Sequence, residues 1–480
     1  MSRVKGRKAY FAASLVAQVS ALLRYVILAR VLGQEELGLA AMLILTAQFF
    51  DSISDTGSDR FIVQDADGDS PTLQGVVQLA LAARGLFIAS ALLIFSGLLA
   101  SLYHQPELRT PLIVIGLAPL IAGFVHLDLR RAQRTQDFRL ESLDILTSET
   151  VSLLATATAA FLTHSHNAVI FGLVLRAITL VIVSHVTARR PYRWAFGRAE
   201  VARFSAFAMP LFLNGLLLFL GSQGDRLVVG STLGAAVLGQ YSAVLLLAYY
   251  PTSMLTRFLA GIHLPQVAAA RIEPDKITSA RERLASRTQV LTIGIALGFA
   301  VVAPIAVPLL YGGKFKEPLL LTTLIGVLQA ARFMRVWPTT LAIGAGRSLF
   351  VMINNIGRMV GLPMALFAYS QFHTLWAVTI GFTTGELTAL LVGLALLYRT
   401  GHLEPFREFK RVFLFCVVVA LTIAATWFLD DKRYTLAAVS AAAMLPALAV
   451  IAVQERATLA EAFGMAERYL GRLRPRRAAS

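Results

Sequence analysis

The sequence predicts an all-α polytopic membrane protein with about 14 transmembrane helices, on three observations. First, 56% of the 480 residues are hydrophobic and only 15% are charged, whereas soluble proteins carry about 25% charged residues. Second, about twenty apolar residues span a bilayer as a helix, and the chain contains fourteen such stretches. Third, basic residues are distributed unevenly between the loops that connect these stretches.

The predicted spans follow one another along the whole chain, separated mostly by short loops. They lie near residues 9–32, 37–58, 76–102, 110–129, 142–163, 167–187, 205–228, 236–260, 288–311, 318–338, 349–370, 374–398, 411–429 and 435–453. The basic N-terminus continues directly into the first span and lacks a convincing cleavage site. We therefore interpret it as a transmembrane helix, not as a secretory signal.

The loop charges predict the orientation of the chain. With the N-terminus in the cytoplasm, thirty lysines and arginines fall in cytoplasmic segments and five on the opposite side, which follows the positive-inside rule. Both termini are then cytoplasmic, which requires an even number of spans. The net charge of +16 is explained by this topology and does not indicate nucleic-acid binding.

A repeated motif predicts two parallel halves. The pattern L-G-x-x-x-L-G occurs at residues 32–38 and again at 233–239, each time in the turn that follows the first span of its half. Six spans separate the copies, so both halves have the same orientation. We expect six-helix bundles at residues 1–203 and 204–400. Residues 401–480 would add two further helices and a basic amphipathic tail that lies on anionic membrane lipids.

Arginines inside the spans are the most informative candidate site residues, because each costs roughly 2.5–3.5 kcal/mol at mid-membrane on insertion scales. We expect the central ones to face a wet cavity that accepts an anionic cargo, since arginine donates paired hydrogen bonds to phosphate. Nine arginines occupy such positions: Arg24, Arg30, Arg84, Arg176, Arg226, Arg257, Arg332, Arg335 and Arg358.

Polar side chains that recur at helical spacing help to select the binding residues among and beside these arginines. Such side chains mark the helix faces that we expect to line one common cavity. The predicted substrate-binding residues are Arg24, Arg84, Arg176, Arg257, Arg332, Arg358, Tyr249, Ser253 and Asn354. The acids Asp51, Asp55, Glu149 and Glu386 are predicted to balance these charges or to couple transport to a cation. Asp51 and Asp55 belong to a polar stripe, a row of polar side chains expected along one side of the second span. An ion pair of either acid with Arg24 or Arg84 would have a structural role.

No motif indicates an enzyme, a metal site or a cofactor. The single cysteine, Cys416, excludes an internal disulfide framework. The run Asp65–Asp69 resembles the start of a calcium loop or a glycosyltransferase metal motif, but Val76 occupies the position of the closing acid. We expect it to be a solvated turn.

Two segments resemble the bacterial polysaccharide-biosynthesis (oligosaccharide flippase) family of the multidrug/oligosaccharidyl-lipid/polysaccharide exporter superfamily. One runs from Leu28 to Gly38 and continues with Asp55-Thr56-Gly57 and Gln64; the other runs from Asp225 to Gly230 and from Leu238 to Ser242. The resemblance implies a V-shaped pair of six-helix bundles with two extra helices, as in the MATE-like fold. It also implies that arginines on the first and eighth helices are important for transport. Arg24 and Arg257 lie on these helices.

The predicted function is translocation of an undecaprenyl-pyrophosphate-linked oligosaccharide, a surface or exopolysaccharide repeat unit such as an O-antigen, across the bacterial inner membrane. The cavity arginines would bind its pyrophosphate, and a polysaccharide polymerase and chain-length machinery would be its partners. One alternative is a cation-coupled multidrug antiporter, which should line its cavity with net negative charge. The other is a membrane polymerase or glycosyltransferase, against which the short outer loops argue.

Overall fold

The computed structural model describes residues 2–428, with gaps at 272, 314, 316–318 and 400–404. In these residues the regular structure is helical and contains no strand, which confirms the all-α prediction. The helices, in chain order, are α1 (Ser2–Leu32), α2 (Gln34–Ile53), α3 (Ser58–Gln64), α4 (Pro71–Leu102), α5 (Arg109–Ile115), α6 (Leu117–Ala122), α7 (Asp128–Arg134), α8 (Arg139–Thr163), α9 (Ala168–Thr187), α10 (Arg198–Leu233), α11 (Ala235–Ala270), α12 (Pro274–Tyr311), α13 (Leu319–Met334), α14 (Val336–Gly344), α15 (Ser348–Arg358), α16 (Gly361–Phe372), α17 (Leu375–Tyr398) and α18 (Pro405–Phe428).

Twelve helical segments in the described residues are long and apolar enough to cross a membrane, and each coincides with one of the fourteen predicted spans. The chain is therefore a multi-pass membrane protein. The predicted span near 435–453 and the amphipathic tail lie outside the described residues. The remaining predicted span, near 110–129, differs from a regular helix because it is divided into α5, α6 and the start of α7.

Glycines allow the divided fourth span to pack closely against α4. A methyl group on Gly85 of α4 would lie 2.5 Å from the carbonyl oxygen of Pro119, and one on Gly123 would lie 2.9 Å from that of Leu81. The backbones of α4 and α6 thus approach each other without an intervening side chain, which small residues permit in membrane helix pairs.

The described chain divides into two compact units. The first comprises 1–250, 307–316 and 365–378; the second comprises 251–306, 317–364 and the remainder from 379. A cluster around Phe61, Leu73 and Phe204 belongs to the core of the first unit, and one around Trp337 and Leu284 to that of the second. The repeat boundaries at 203/204 and 400/401 stay a prediction.

The thirteenth predicted span, α18, is held to the second unit at its basic end. Arg411 donates hydrogen bonds of 2.7 Å to Glu282 of α12 and 2.7 Å to Glu408 one turn earlier. Further along α18, Phe415 packs in a cluster with Ala330 and Met334 of α13 and Leu390 of α17. This helix is therefore an integral part of the second unit.

The two copies of the repeated motif adopt the same backbone conformation. Gly33 between α1 and α2 has φ 98° and ψ 179°, and Gly234 between α10 and α11 has φ 86° and ψ 179°. Positive φ at this angle favours glycine because it has no Cβ. The carbonyls of both glycines accept a 3.1 Å hydrogen bond, from the amides of Leu37 and Leu238 respectively. The structure thus supports the parallel repeat.

We predict that Gly85→Ala destabilises the purified protein, because the added methyl group meets backbone that cannot rotate away. Overpacking of this kind costs about 1–3 kcal/mol. The measurement is the thermal unfolding midpoint in detergent, with Gly298→Ala as the control because no atom lies within 4 Å of its added methyl group. Equal midpoints for the two variants would contradict the close packing of α4 and α6.

Candidate functional site

In the first unit, one glutamate joins arginines from two other helices. Glu149 of α8 accepts a 2.7 Å hydrogen bond from Arg24 of α1 and another of 2.7 Å from Arg176 of α9. Glu149 is one of the buried residues of α8. We call Arg24, Glu149 and Arg176 the Glu149 cluster; with all groups ionised, it has one positive charge in excess.

In the second unit, a glutamate is shared by three arginines. Glu386 of α17 lies 2.6 Å from Arg358, 3.2 Å from Arg332 and 2.7 Å from Arg335. The glutamate side chain is only 2% exposed and the arginines are 11–13% exposed. We call these four residues the Glu386 cluster; with all groups ionised, it has two positive charges in excess.

A proline positions two of these arginines. Pro338 has no amide hydrogen and its ring collides with the carbonyl four residues earlier, and the helix is interrupted at Arg335, between α13 and α14. Arg332 and Arg335 lie on the two sides of this interruption and both reach Glu386. The role of Arg335 was missed by sequence reasoning, although its spacing of three residues from Arg332 and the nearby proline are visible there.

Two buried amides lie beside the Glu386 cluster and have unused hydrogen-bonding capacity. Gln329 precedes Arg332 by three residues and Asn354 precedes Arg358 by four, which places each amide on the helix face of its arginine. Both side chains are buried, and within the described chain neither Gln329 Nε2 nor Asn354 Oδ1 has a hydrogen-bond partner. Such groups are usually satisfied by water or a ligand, so the site has donors and acceptors available for a polar guest.

The excess of arginine determines what these clusters can do chemically. A buried ion pair is tolerated only when the charges compensate each other with good geometry. In both clusters one carboxylate is shared by several guanidinium groups, which leaves donors and positive charge for an additional anion. Planar guanidinium groups bind the oxygens of phosphate or carboxylate in pairs. The clusters therefore suit an anionic ligand, with Glu149 and Glu386 as internal counterions.

Arg84 has a different environment from the other predicted substrate-binding arginines. It donates hydrogen bonds of 2.7 Å to the Asp51 carboxylate, 2.9 Å to the Asp51 carbonyl and 3.0 Å to Ser54. These bonds tie α4 to the end of α2, which is the structural pairing considered for Arg84 and Asp51. For Arg24, the partner is Glu149, not Asp51 or Asp55.

The stripe expected along the second span is shorter than predicted. Helix α2 ends at Ile53, so Asp55 lies in the following turn, where its carboxylate accepts a 2.9 Å bond from the amide of Gly57. It also lies 3.6 Å from Arg60, and its side chain is 44% exposed. The prediction that Asp55 continues the membrane face of this span is therefore wrong. Aspartate and glycine favour a turn there, because the aspartate carboxylate accepts a hydrogen bond from the backbone amide two residues later.

The predicted stripe on α11 spans the boundary between the two units. Tyr249 lies in the first unit and its ring packs 5.7 Å from that of Tyr250. Ser253 and Arg257 lie in the second unit, where Arg257 is exposed and Ser253 is half-buried. Binding of cargo by Tyr249, Ser253 and Arg257 stays a prediction.

The acidic run at residues 65–69 forms a turn whose carboxylates are paired with arginines. Arg203 lies 3.5 Å from Asp65 and 2.8 Å from Asp67, and Arg190 lies 3.3 Å from Asp69. The backbone carbonyls of Ile62 and Val63 accept bonds of 2.8 and 3.2 Å from Arg134. The turn thus fastens the loop after α3 to α7, to the segment between α9 and α10 and to α10, and this is a structural role.

We predict that Glu386→Gln lowers the thermal unfolding midpoint, because three buried arginines lose their shared counterion. Removal of one partner of a buried ion pair costs about 3–5 kcal/mol. Inorganic pyrophosphate should restore part of this loss and should raise the midpoint of the variant more than that of the wild type. The control is Glu107→Gln, which removes an exposed carboxylate; an unchanged midpoint for Glu386→Gln would refute the counterion role.

Comparisons with known proteins identify the family of the chain. The model of the family described as polysaccharide biosynthesis protein matches residues 27–319. The lipopolysaccharide biosynthesis protein WzxC of Escherichia coli is 23% identical over 335 residues, which cover 68% of this chain and 67% of that protein. The succinoglycan biosynthesis transport protein ExoT of Rhizobium meliloti is 24% identical over 379 residues, covering 77% and 72%.

Among solved structures, the lipid II flippase MurJ in an inward closed conformation superposes with a TM-score of 0.70 at 11% identity, covering 94% of this chain and 99% of that chain. This likeness shows that the chain shares the fold of that flippase, and it is the fold expected from the sequence. Because the family model matches more than half of its residues, the chain belongs to the polysaccharide biosynthesis protein family.

Proposed function

We propose that this protein is a flippase that moves an undecaprenyl-pyrophosphate-linked oligosaccharide across the cytoplasmic membrane by alternating access. The observation that carries the proposal is the excess of arginine over glutamate in both clusters. A lipid-linked oligosaccharide combines an anionic pyrophosphate, a polar glycan and an apolar tail. The protein offers positive charge and buried polar groups within apolar helices, which match these three parts.

The charge balance favours pyrophosphate as the group that is bound. In the Glu386 cluster three arginines face one carboxylate, so a bound dianion would make the cluster neutral. In the Glu149 cluster, Arg24 and Arg176 share one carboxylate, so the remaining attraction for an anion is weaker. The Glu386 cluster is therefore proposed as the stronger pyrophosphate site.

The alternatives fit the charges less well. A cation-coupled drug antiporter should present excess carboxylate to its cargo, whereas arginines outnumber glutamates in both clusters. A polymerase or glycosyltransferase needs a catalytic acid or a large outer domain, and the turn between α8 and α9 consists of only a few residues. A transport role without covalent chemistry is the simplest account, so the protein is proposed not to be an enzyme.

The proposed location is the bacterial inner membrane, with both termini in the cytoplasm. The thirty basic residues in segments on the cytoplasmic side support this orientation. A polysaccharide polymerase and chain-length machinery would use the product on the outer side and are proposed as functional partners. The WzxC and ExoT relatives carry names from lipopolysaccharide and succinoglycan biosynthesis, which is consistent with a surface or secreted glycan as the product.

We predict that Arg24→Gln and Arg358→Gln each reduce export of the lipid-linked glycan by more than tenfold. Loss of one partner of a buried, hydrogen-bonded charge pair typically costs about 2–5 kcal/mol. The measurement is surface glycan in a flippase-deletion strain complemented with each variant, at matched protein level in the membrane.

Arg60→Gln is the matched control, because the Arg60 side chain is 65% exposed and its 3.6 Å ion pair is with the exposed side chain of Asp55. It should export like the wild type. Full export by both buried-arginine variants would overturn the assignment of the clusters to the pyrophosphate.

A further inference from the structure

The two copies of the repeated motif touch each other through their backbones. A Cβ atom on Gly38 of α2 would overlap the carbonyl oxygen of Ala235, the first residue of α11. A Cβ atom on Gly239 of α11 would overlap the carbonyl oxygen of Gln34, the first residue of α2. Neither overlap can be relieved by rotating a side chain, because the atoms that would be struck belong to the backbone. The helix crossing thus requires glycine at both positions.

The contact is reciprocal under the internal repeat. Gln34 corresponds to Ala235 and Gly38 to Gly239 at the displacement of 201 residues that relates the two motifs. Each half therefore presents the same carbonyl and the same glycine to the other, which is the geometry of an interface with twofold symmetry. All four residues lie in the first unit.

Next to this crossing, the side chains between the helices are buried from water. Leu37, Ala41 and Met42 of α2 and Leu238 of α11 are completely buried, and Gly230 of α10 packs against Leu238 and Met42, since a Cβ atom there would lie 3.0 Å and 3.6 Å from their side chains. Water therefore cannot pass between α2, α10 and α11 at this level. The crossing closes the space between these three helices, on the side that the proposed topology places outside.

The crossing also brings together two helix N-termini, the positive ends of their dipoles. Glu35 and Glu36 lie in the first turn of α2, whereas the first turn of α11 contains no acid. Glu36 is engaged by His166, whose backbone amide and Nδ1 lie 2.6 and 2.9 Å from its carboxylate. The closed arrangement is thus stabilised by close packing and one acidic turn against a modest dipole repulsion, so a small steric change can shift the balance.

We propose that Gly38 and Gly239 form the outer gate of the transporter: a symmetric glycine–carbonyl contact that closes the outer end and must separate for cargo to leave. This rests on the proposed flippase function. Opening requires α2 and α11 to part at their N-terminal ends, and reclosure requires that neither position carries a side chain. The repeated glycine is then conserved between the halves by the geometry of closure.

The first test uses Gly38→Ala and Gly239→Ala, with Gly298→Ala as the control because a methyl group there meets no atom within 4 Å. Cys416 is replaced by serine, and Ala41→Cys provides a buried reporter one turn below the gate. A membrane-impermeant maleimide is added to intact cells. We expect roughly tenfold or faster labelling in both gate variants, because the added methyl group disfavours the closed contact, and no labelling in the control.

Labelling of both gate variants at the rate of the control would overturn the proposal. This readout needs no cargo, so it remains decisive if the protein proves not to be a flippase.

A second test covers the case in which the glycine variants fail to fold. Glu35→Cys and Ala236→Cys place thiols at equivalent positions in the first turns of α2 and α11, and both native residues are exposed. A short bis-maleimide with a reducible link should hold the gate shut and stop glycan export, and reduction should restore it. Full export by the cross-linked protein would overturn the gate assignment.

Discussion

A glutamate shared among arginines from different helices is the interaction on which the membrane-embedded part of this protein depends. Placing an arginine in the apolar part of a bilayer costs free energy. If each arginine were paired with its own acid, little net positive charge would remain for a ligand. In the Glu149 and Glu386 clusters one carboxylate serves two and three guanidinium groups. The helices are thereby held together, and positive charge remains for a ligand.

This arrangement connects stability with function. The guanidinium groups that hold Glu386 have further N–H donors that a phosphate oxygen would bind, so ligand and counterion share the same positive charge. Cargo binding would loosen the bonds between α13, α15 and α17 and could thereby favour a different packing of these helices. A ligand shifts a conformational equilibrium only when it interacts differently with the two states, and a shared counterion provides such a difference.

Much of this could be predicted from the sequence. Apolar length and the distribution of basic residues located twelve spans that the structure contains, and the L-G-x-x-x-L-G motif marked two turns with the same backbone geometry. Helical spacing could not predict that α2 ends at Ile53, because the stripe continues in sequence after the helix has stopped. Glycine and aspartate in the following turn decide the end of that helix.

The composition of the clusters was harder to predict, because it depends on which helices are neighbours. Sequence placed Glu149, Arg24 and Arg176 on separate spans and offered nearer acids for Arg24. Tertiary packing of α1, α8 and α9 selected Glu149. Arg335 joined its cluster through a helix interruption near Pro338, whose consequence for side-chain direction does not follow from periodicity.

The most direct test of the central claim is binding of a fluorescent short-chain polyprenyl pyrophosphate to the purified protein, compared with the matching monophosphate. Excess arginine predicts that the wild type prefers the pyrophosphate, and that Arg332→Gln, Arg335→Gln and Arg358→Gln combined in one variant remove the preference. Equal affinity of the wild type for both lipids, or a preference that survives in the triple variant, would contradict the account.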